Sequence, residues 1–303
     1  MEIRHLALLR ELAERGSVTA VAEATHRTPS AVSQQLKAAQ REFGTPLVEP
    51  SGRGLRLNEA GLLLAEGGVS VAAALERVQA RWDSFRGEPS GTVTVAALPS
   101  AATFLLSDAM HDLADTSITL RCSDYDLAEV EFAGLTADND IVIAHSLTSV
   151  RPAGAEGLTV RPLAREPLDI AMAADHPLAD RTDVSPDDLV DLEWIGVPEG
   201  YPFDTVPKAI EQVTGKELRV TQRLWDNRLI ESLVAGSALV AVLPRFTTPP
   251  DSGVVLRPLT GVPSARHVSA VLRPDKAERL AVQRVLRAFE KVGAEVERRH
   301  RRD

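Results

Sequence analysis

The run SVTAVAEATHRTPSAVSQQLKAAQREFG, from Ser17 to Gly44, is the stretch from which the fold is read. It predicts two short helices joined by a tight turn. The Ser17 hydroxyl stands just before a periodic run, where it can accept a hydrogen bond from a free backbone N–H. Val18, Val21 and Ala22 give the first helix a small apolar face, and His26-Arg27 end it. Thr28 caps a second helix, and Pro29 occupies its first position, where a missing N–H costs little. Ala31, Val32, Leu36, Ala39 and Phe43 form the buried side of that helix, and Gly44 stops it. Thr28, Ser30, Ser33, Gln34 and Lys37 are left for the outer side, with Arg41. Hydroxyls and amides can bond base edges, and Lys or Arg can reach phosphates. The pattern therefore suggests a helix-turn-helix laid against double-stranded DNA, the alternative being a helical hairpin with a solvated face.

Working outward, Ile3, Leu6, Leu9, Leu12 and Ala13 recur at helical spacing and predict a first helix from Glu2 to Glu14. Downstream, Leu47-Val48 and Leu55-Arg56-Leu57 flank Pro50-Ser51-Gly52-Arg53-Gly54, a two-stranded wing whose tip projects Arg53 as a further DNA contact. Asn58 then caps a helix running to about Arg86, in which Leu64, Val71, Val78 and Phe85 recur every seven residues. Such a stripe asks for a partner helix. A helix of about 28 residues is about 42 Å long, too long to hide in one small domain. Leu64, Val71, Leu75, Val78 and Trp82 are the expected dimerisation residues, with Gly67 and Gly68 allowing close approach of the paired helices. The alternative is an amphipathic helix lying on its own chain.

These segments together resemble the LysR-type transcriptional regulators. The resemblance is carried by Gly16-Ser17-Val18-Thr19, Thr28-Pro29-Ser30-Ala31-Val32-Ser33-Gln34-Gln35-Leu36, Phe43-Gly44-Thr45-Pro46-Leu47-Val48, Arg53 and Leu57-Asn58-Glu59-Ala60-Gly61, in order and without interruption. Pro29 stands where the family pattern usually has a glutamine able to touch DNA. Val48 replaces the usual Phe, and Glu49-Pro50 stands where an arginine is common.

After Gly87-Glu88-Pro89-Ser90-Gly91, a hinge by composition, the pattern changes. Strands are expected at 92–96, 118–122, 140–144, 160–163, 168–173, 193–197, 218–224, 239–243 and 266–272. Helices are expected at 101–113, 127–135, 186–192, 204–214, 227–235 and 275–298. Alternating strands and helices imply a parallel α/β sheet. This half also resembles the LysR-type effector domain, through Leu163-Ala-Arg-Glu166-Pro167-Leu168 before His176-Pro177-Leu178 and Leu233-Val234-Ala235-Gly236 before Leu243-Pro244. The resemblance implies two subdomains like a periplasmic binding protein. The expected organisation is a winged helix-turn-helix over residues 1–58, a linker helix over 59–87, and an effector domain over 91–303. Its first subdomain would hold residues 91–161 and 266–298, its second residues 162–262.

Ligands of open α/β sheets sit beyond the carboxyl ends of the strands. That rule selects Ser100 and Ala101, Asp124 and Tyr125, and His145 on one side, and Pro198, Gly200, Tyr201 and Asp226 on the other, with Trp225 and Asn227 flanking Asp226 in the same loop. Ser100 also matches the family's effector-contacting hydroxyl. A helix N-terminus there favours an anionic group, while Asp124, Asp126 and Glu129 favour an ammonium. A zwitterion or a small polar acid is the expected effector.

A length of 303 residues, 44% hydrophobic and 25% charged, fits a globular chain of two or three domains. The net charge of −9 is unevenly spread: residues 1–58 hold eight basic against six acidic residues, leaving −11 on the remainder. Binding to DNA would then be local, and two copies, a homodimer or homotetramer, are expected. A single cysteine, Cys122, excludes an internal disulfide and is expected to be buried. No signal peptide and no apolar run of about 20 residues is seen, so a cytoplasmic protein with no membrane partner is expected. No Gly-x-Ser-x-Gly elbow, metal-ligand spacing or phosphate loop supports an enzyme, a metal or a cofactor. The competing readings are a small-molecule-binding module without gene regulation and, further off, a hydrolase built on Ser100, Cys122, Asp124 and His145.

Overall fold

Both helices of the opening stretch form as their caps dictate. In the computed structural model, which describes residues 1–52, 54–87 and 89–301, Ser17 Oγ accepts from the Ala20 N–H at 3.1 Å, starting α2 (Val18–Ala24). Thr28 Oγ1 accepts from the Ala31 N–H at 3.2 Å, starting α3 (Pro29–Phe43). Gly44 ends α3 with φ 69°, a left-handed conformation that glycine adopts without steric penalty. Together with α1 (Ile3–Arg15) these helices bury Leu9, Val21, Val32, Leu36 and Ala39 in one small core. The wing, β1 (Val48–Ser51) and β2 (Gly54–Leu57), is antiparallel, and Arg53 lies outside the described residues. Glu49 and Arg56 face each other across it and pair at 2.7 Å.

The long helix α4 (Glu59–Arg86) forms at its expected length, capped by Asn58 Oδ1 on the Gly61 N–H. Its N-terminal half serves its own chain. A Cβ on Gly68 would lie 2.8 Å from the Leu6 carbonyl oxygen, so this glycine admits α1 rather than a partner helix. Leu64, expected in a dimer seam, packs half-buried on the winged-helix core, and Val71 is half-buried. Leu62 and Leu63 are exposed near the start of α4, and a periodic exposed apolar stripe runs from Leu75 through Val78, Trp82 and Phe85.

The remainder is a single curled nine-stranded sheet with two cores. On one side, β3 (Ser90–Ala97) lies parallel between β4 (Ser117–Asp124) and β5 (Ile141–Ser146). It is covered by α5 (Pro99–Asp112) and α10 (Leu280–Arg299), and a 3-10 helix, Glu129–Ala137, stands where an α-helix is expected at 127–135. On the other side, β7 (Glu193–Gly196) lies parallel between β8 (Arg219–Arg223) and β9 (Val240–Pro244). It carries α6 (Pro186–Leu189), α7 (Thr205–Thr214) and α8 (Asn227–Ala235). The lobes are joined by β6 (Thr159–Ala173) and by the return into β11 (Ala265–Leu272). The two strands expected at 160–163 and 168–173 are thus one 15-residue strand. Pro167, just before the second expected strand, is what makes it read as two, since proline punctuates a strand in sequence. A short strand, β10 (Val254–Arg257), pairs with β6 and is not foreseen from sequence. The final helix is broken at Arg279, whose backbone is extended, into α9 (Pro274–Glu278) and α10.

The winged helix rests directly on the first lobe. Arg10 Nη1 meets Asp275 Oδ2 at 3.0 Å, Arg15 Nη2 meets Asp138 Oδ1 at 2.9 Å, and buried Arg273 reaches Glu14 Oε2 at 2.8 Å. Burial raises the Glu14 carboxyl above its ordinary range, with Arg273 opposing that rise. Gly67, one residue before Gly68, has nothing within 4 Å of a built Cβ. Gly67→Ala should therefore raise the thermal midpoint, by up to about 1 kcal/mol of helix propensity. Gly68→Ala should lower it, by about 1–3 kcal/mol of overpacking against backbone. Equal midpoints for the two variants would refute this packing of α4 on α1.

Candidate functional site

The carboxyl ends of strands from both lobes converge on one cavity of about 320 Å³. From the first lobe, β3 leads into Leu98-Pro99-Ser100 at the start of α5, the segment after β4 supplies Asp126 and Leu127, and β5 supplies His145. From the second, the loop after β7 supplies Pro198, Tyr201 and Phe203, and the loop after β8 supplies Trp225 and Asp226. Ser100 lines the cavity half-buried. It does not cap its helix: Leu98 holds the cap position, and the Ala101 and Ala102 N–H groups both return to the Leu98 carbonyl.

Of the nine residues expected here, Ser100, His145, Pro198, Tyr201 and Asp226 line the cavity. The other four do not. Ala101 turns inward and is fully buried in the first core. Asp124 completes β4, an edge strand, and is exposed with Tyr125; the chain reaches the cavity one residue later, at Asp126. Gly200 acts through its backbone, donating to Asp204 at 3.3 Å. Cys122, expected to be buried, is exposed on the same edge strand. Partial loss of water around the thiol and the nearby Asp124 raise it above the ordinary cysteine range.

Asp204 anchors the loop that carries Tyr201 and Phe203. Burial alone would raise its carboxyl, but hydrogen bonds from Lys208, the Gly200 N–H and Arg223 overcome that and hold it below the ordinary carboxylate range. Deeper in, Arg266 is fully buried and grips Glu166 through Nε and Nη2 at 2.8 and 2.6 Å. Glu166 also accepts the Phe246 N–H at 2.8 Å. Loss of water raises the Glu166 carboxyl, and these partners oppose the rise. The Arg266 guanidinium lies 5.3 Å from the Phe203 ring centroid. His145 stands edge-on between Phe132 of the first lobe and Phe203 of the second, at 6.1 and 6.3 Å between centroids. Burial, reinforced by Arg266, pushes its pKa down to about 3, and its Nδ1 has no hydrogen-bond partner.

Phe132, Phe203, Glu231 and Arg266 are cavity residues that the strand-end rule does not select, whereas Trp225, in the loop it does select, lines the cavity beside Asp226. Glu231 interrupts the apolar run Ile230-Glu231-Ser232-Leu233-Val234, so it left a local signal. The others depend on how elements fold back over the sheet. Among the described residues there is no cluster of His, Cys, Asp and Glu able to hold a metal ion, and no helix long and apolar enough to cross a membrane.

At the other end of the chain, Thr28, Ser30, Gln34 and Lys37 are exposed on one side of α3 and Ser33 is half-buried beside them. Gln35 is committed internally, donating to the Arg4 carbonyl and accepting from Arg27. Gln34, Lys37 and Arg41 edge an open depression that ends at Gly44 and Pro46.

Sequence profiles match both parts: "Bacterial regulatory helix-turn-helix protein, lysR family" over residues 3–62 and "LysR substrate binding domain" over residues 86–294. The chain belongs to the LysR family, and it is a DNA-binding transcriptional regulator with an effector-binding domain. It is 25% identical over 293 residues to the DNA-binding transcriptional dual regulator OxyR of Escherichia coli, covering 95% of each chain. It is 23% identical over 299 residues to a probable RuBisCO transcriptional regulator of Synechocystis, covering 94% of this chain and 85% of that one. Its fold matches a full-length OxyR variant from Pseudomonas aeruginosa with a TM-score of 0.60 at 18% identity, covering 96% and 98% of the two chains.

The native state refuses a proton at His145 until about pH 3, whereas an unfolded histidine takes one near pH 6.5. Stability contributed by the neutral ring is therefore present above pH 6.5 and is lost as pH falls toward 3. Between pH 7 and pH 5 the wild type should lose about 2 kcal/mol more than His145→Gln. Urea unfolding of both proteins at the two pH values checks this, and parallel losses would show that His145 titrates normally.

Proposed function

We propose that this chain is a promoter-binding regulator acting in the cytoplasm as a dimer or tetramer, with no catalytic activity. Residues 1–58 read DNA, residues 59–87 pair two copies, and residues 91–303 respond to a small molecule held between the lobes. The carrying observation is the uncommitted polar face of α3. Gln34 and Lys37 stand exposed on a helix whose other face is buried in the winged-helix core, as side chains entering a major groove must be. Arg56 is spent on Glu49 in the wing, so the wing contributes less positive charge than its sequence suggests.

Pairing is supported by Leu75, Val78, Trp82 and Phe85, an exposed stripe at 3-4-3 spacing on α4. Trp82 and Phe85 stack on each other at 5.7 Å. A stripe of this kind in water is relieved by a second copy. Effector binding is supported by the cavity, whose walls come from both lobes, so that a ligand touching both favours their closure. A zwitterion would set its anionic end at Ser100 and its ammonium near the carboxylates. The ion pairs of α1 with Asp275, Asp138 and Arg273 give lobe movement a route to the winged helix.

Gln34→Ala should reduce discrimination between the cognate site and mismatched DNA by about 1–3 kcal/mol. Lys37→Ala should weaken all sequences alike and flatten the salt dependence. Titrating labelled cognate and scrambled duplexes at several salt concentrations separates the two, and wild-type behaviour of both variants would sink the recognition-helix assignment. Val78→Asp puts a charge into the exposed stripe and should shift sedimentation toward smaller species. An unchanged assembly would remove α4 from the interface.

A further inference from the structure

The charges around the cavity are unevenly committed. Arg266 is spent on Glu166, and Arg228 on Glu231 at 2.9 Å. Asp226 caps α8, accepting the Leu229 N–H at 2.9 Å. Asp126 makes no ion pair among the described residues. A ligand carboxylate would therefore find both cations already neutralised, whereas a ligand cation finds a free carboxylate.

The apolar walls point the same way. Tyr201 and Trp225 meet edge to face, 4.2 Å between centroids and 84° between planes, forming an aromatic corner on the second lobe. Trp225 is 55% exposed, with part of its surface on the cavity. Aromatic faces attract cations through their quadrupole, tryptophan most strongly. Behind the corner, Leu98, Leu127, Phe132 and Phe203 offer an apolar interior. His145, more than nine-tenths buried with an unpartnered Nδ1, is neutral and adds no positive charge to repel a cation.

We propose that the cavity takes an organic ammonium ion on an apolar, preferably aromatic, body, with the ammonium held between Asp126 of the first lobe and the Tyr201–Trp225 corner of the second. This rests on reading the cleft as the effector site, and it selects the ammonium end of the ligand as the recognised one. Asp126 and the aromatic corner belong to different lobes, so a cation touching both binds the closed arrangement more tightly than the open one. That differential affinity is what an effector needs in order to shift the lobes. Partial desolvation at the cavity wall already raises the Asp126 carboxyl, a penalty that a bound ammonium would offset.

Phenethylamine and phenylacetate share a ring and differ in the sign of their charge. Isothermal titration of the full chain should give phenethylamine an affinity about tenfold or more above that of phenylacetate. Asp126→Asn should erase that preference by weakening the amine, and Trp225→Ala should weaken the amine as well. Thermal melts confirm that both variants are folded, as expected for exposed positions. Tighter or equal binding of phenylacetate, no binding of phenethylamine, or amine affinity untouched by Asp126→Asn would each overturn the proposal. Duplex titrations run in parallel keep the two readings apart. Amine binding that depends on Asp126 without any DNA binding would refute the regulator while leaving the cavity's chemistry standing. A DNA response to phenylacetate alone would do the reverse.

Discussion

Everything in the second half of this chain depends on a salt bridge placed where the backbone crosses between lobes. Glu166 sits in β6 at the crossing, and Arg266 sits opposite it in β11. Both are fully buried, and the pair is closed by a third contact from the Phe246 N–H. A buried pair of this kind is not strongly stabilising against an apolar replacement, but losing one partner strands a charge in the protein interior. Its value here is geometric. It ties the two crossing strands to each other and to the segment after β9, and it holds Arg266 against Phe203 at the cavity floor. The crossing between the lobes and the base of the cavity are therefore one structure.

The first lobe is held just as firmly to the DNA-reading end. Arg10, Glu11, Glu14 and Arg15 lie on one helix and meet Asp275, Arg273 and Asp138 of the first lobe. Arg273 is buried within this group, so the contact is more than a screened surface pairing. The second lobe has no comparable tie to the winged helix among the ion pairs of the described residues. The first lobe and winged helix are thus tied by side-chain contacts, and the second lobe is joined to them through the crossing strands.

The long helix divides its surface in a way that follows from residue size. Gly61 and Gly68 bring its first half against backbone oxygens of Leu47 and Leu6, at distances no side chain would tolerate. Large apolar residues then appear where no part of the same chain covers them. A heptad stripe reports only that a face must be buried. Which neighbour buries each position is settled by the fold of the rest of the molecule.

Local chemistry explains what was legible in the sequence. Caps at Ser17, Thr28 and Asn58, the glycine stop at Gly44, and short-range periodicity act within a few residues, so the winged helix, the long helix and most strands could be placed from them. Ser100, His145, Pro198, Tyr201, Trp225 and Asp226 followed from the rule that ligands sit past strand ends, because the ends themselves were placed well. Three things were decided only by tertiary structure. Pro162 and Pro167 do not end β6, because β11 pairs with it across Pro162 as far as Pro167 and β9 takes over from Leu168. Phe132, Phe203 and Arg266 reach the cavity from separate parts of the chain, and no local pattern carries information about that convergence. The docking of α1 on the first lobe joins residues more than 100 positions apart, through charges that in the sequence look like any solvated helix face. Short-range signals determine elements, and the placement of one element on another is determined by which buried surfaces and charges find partners in space.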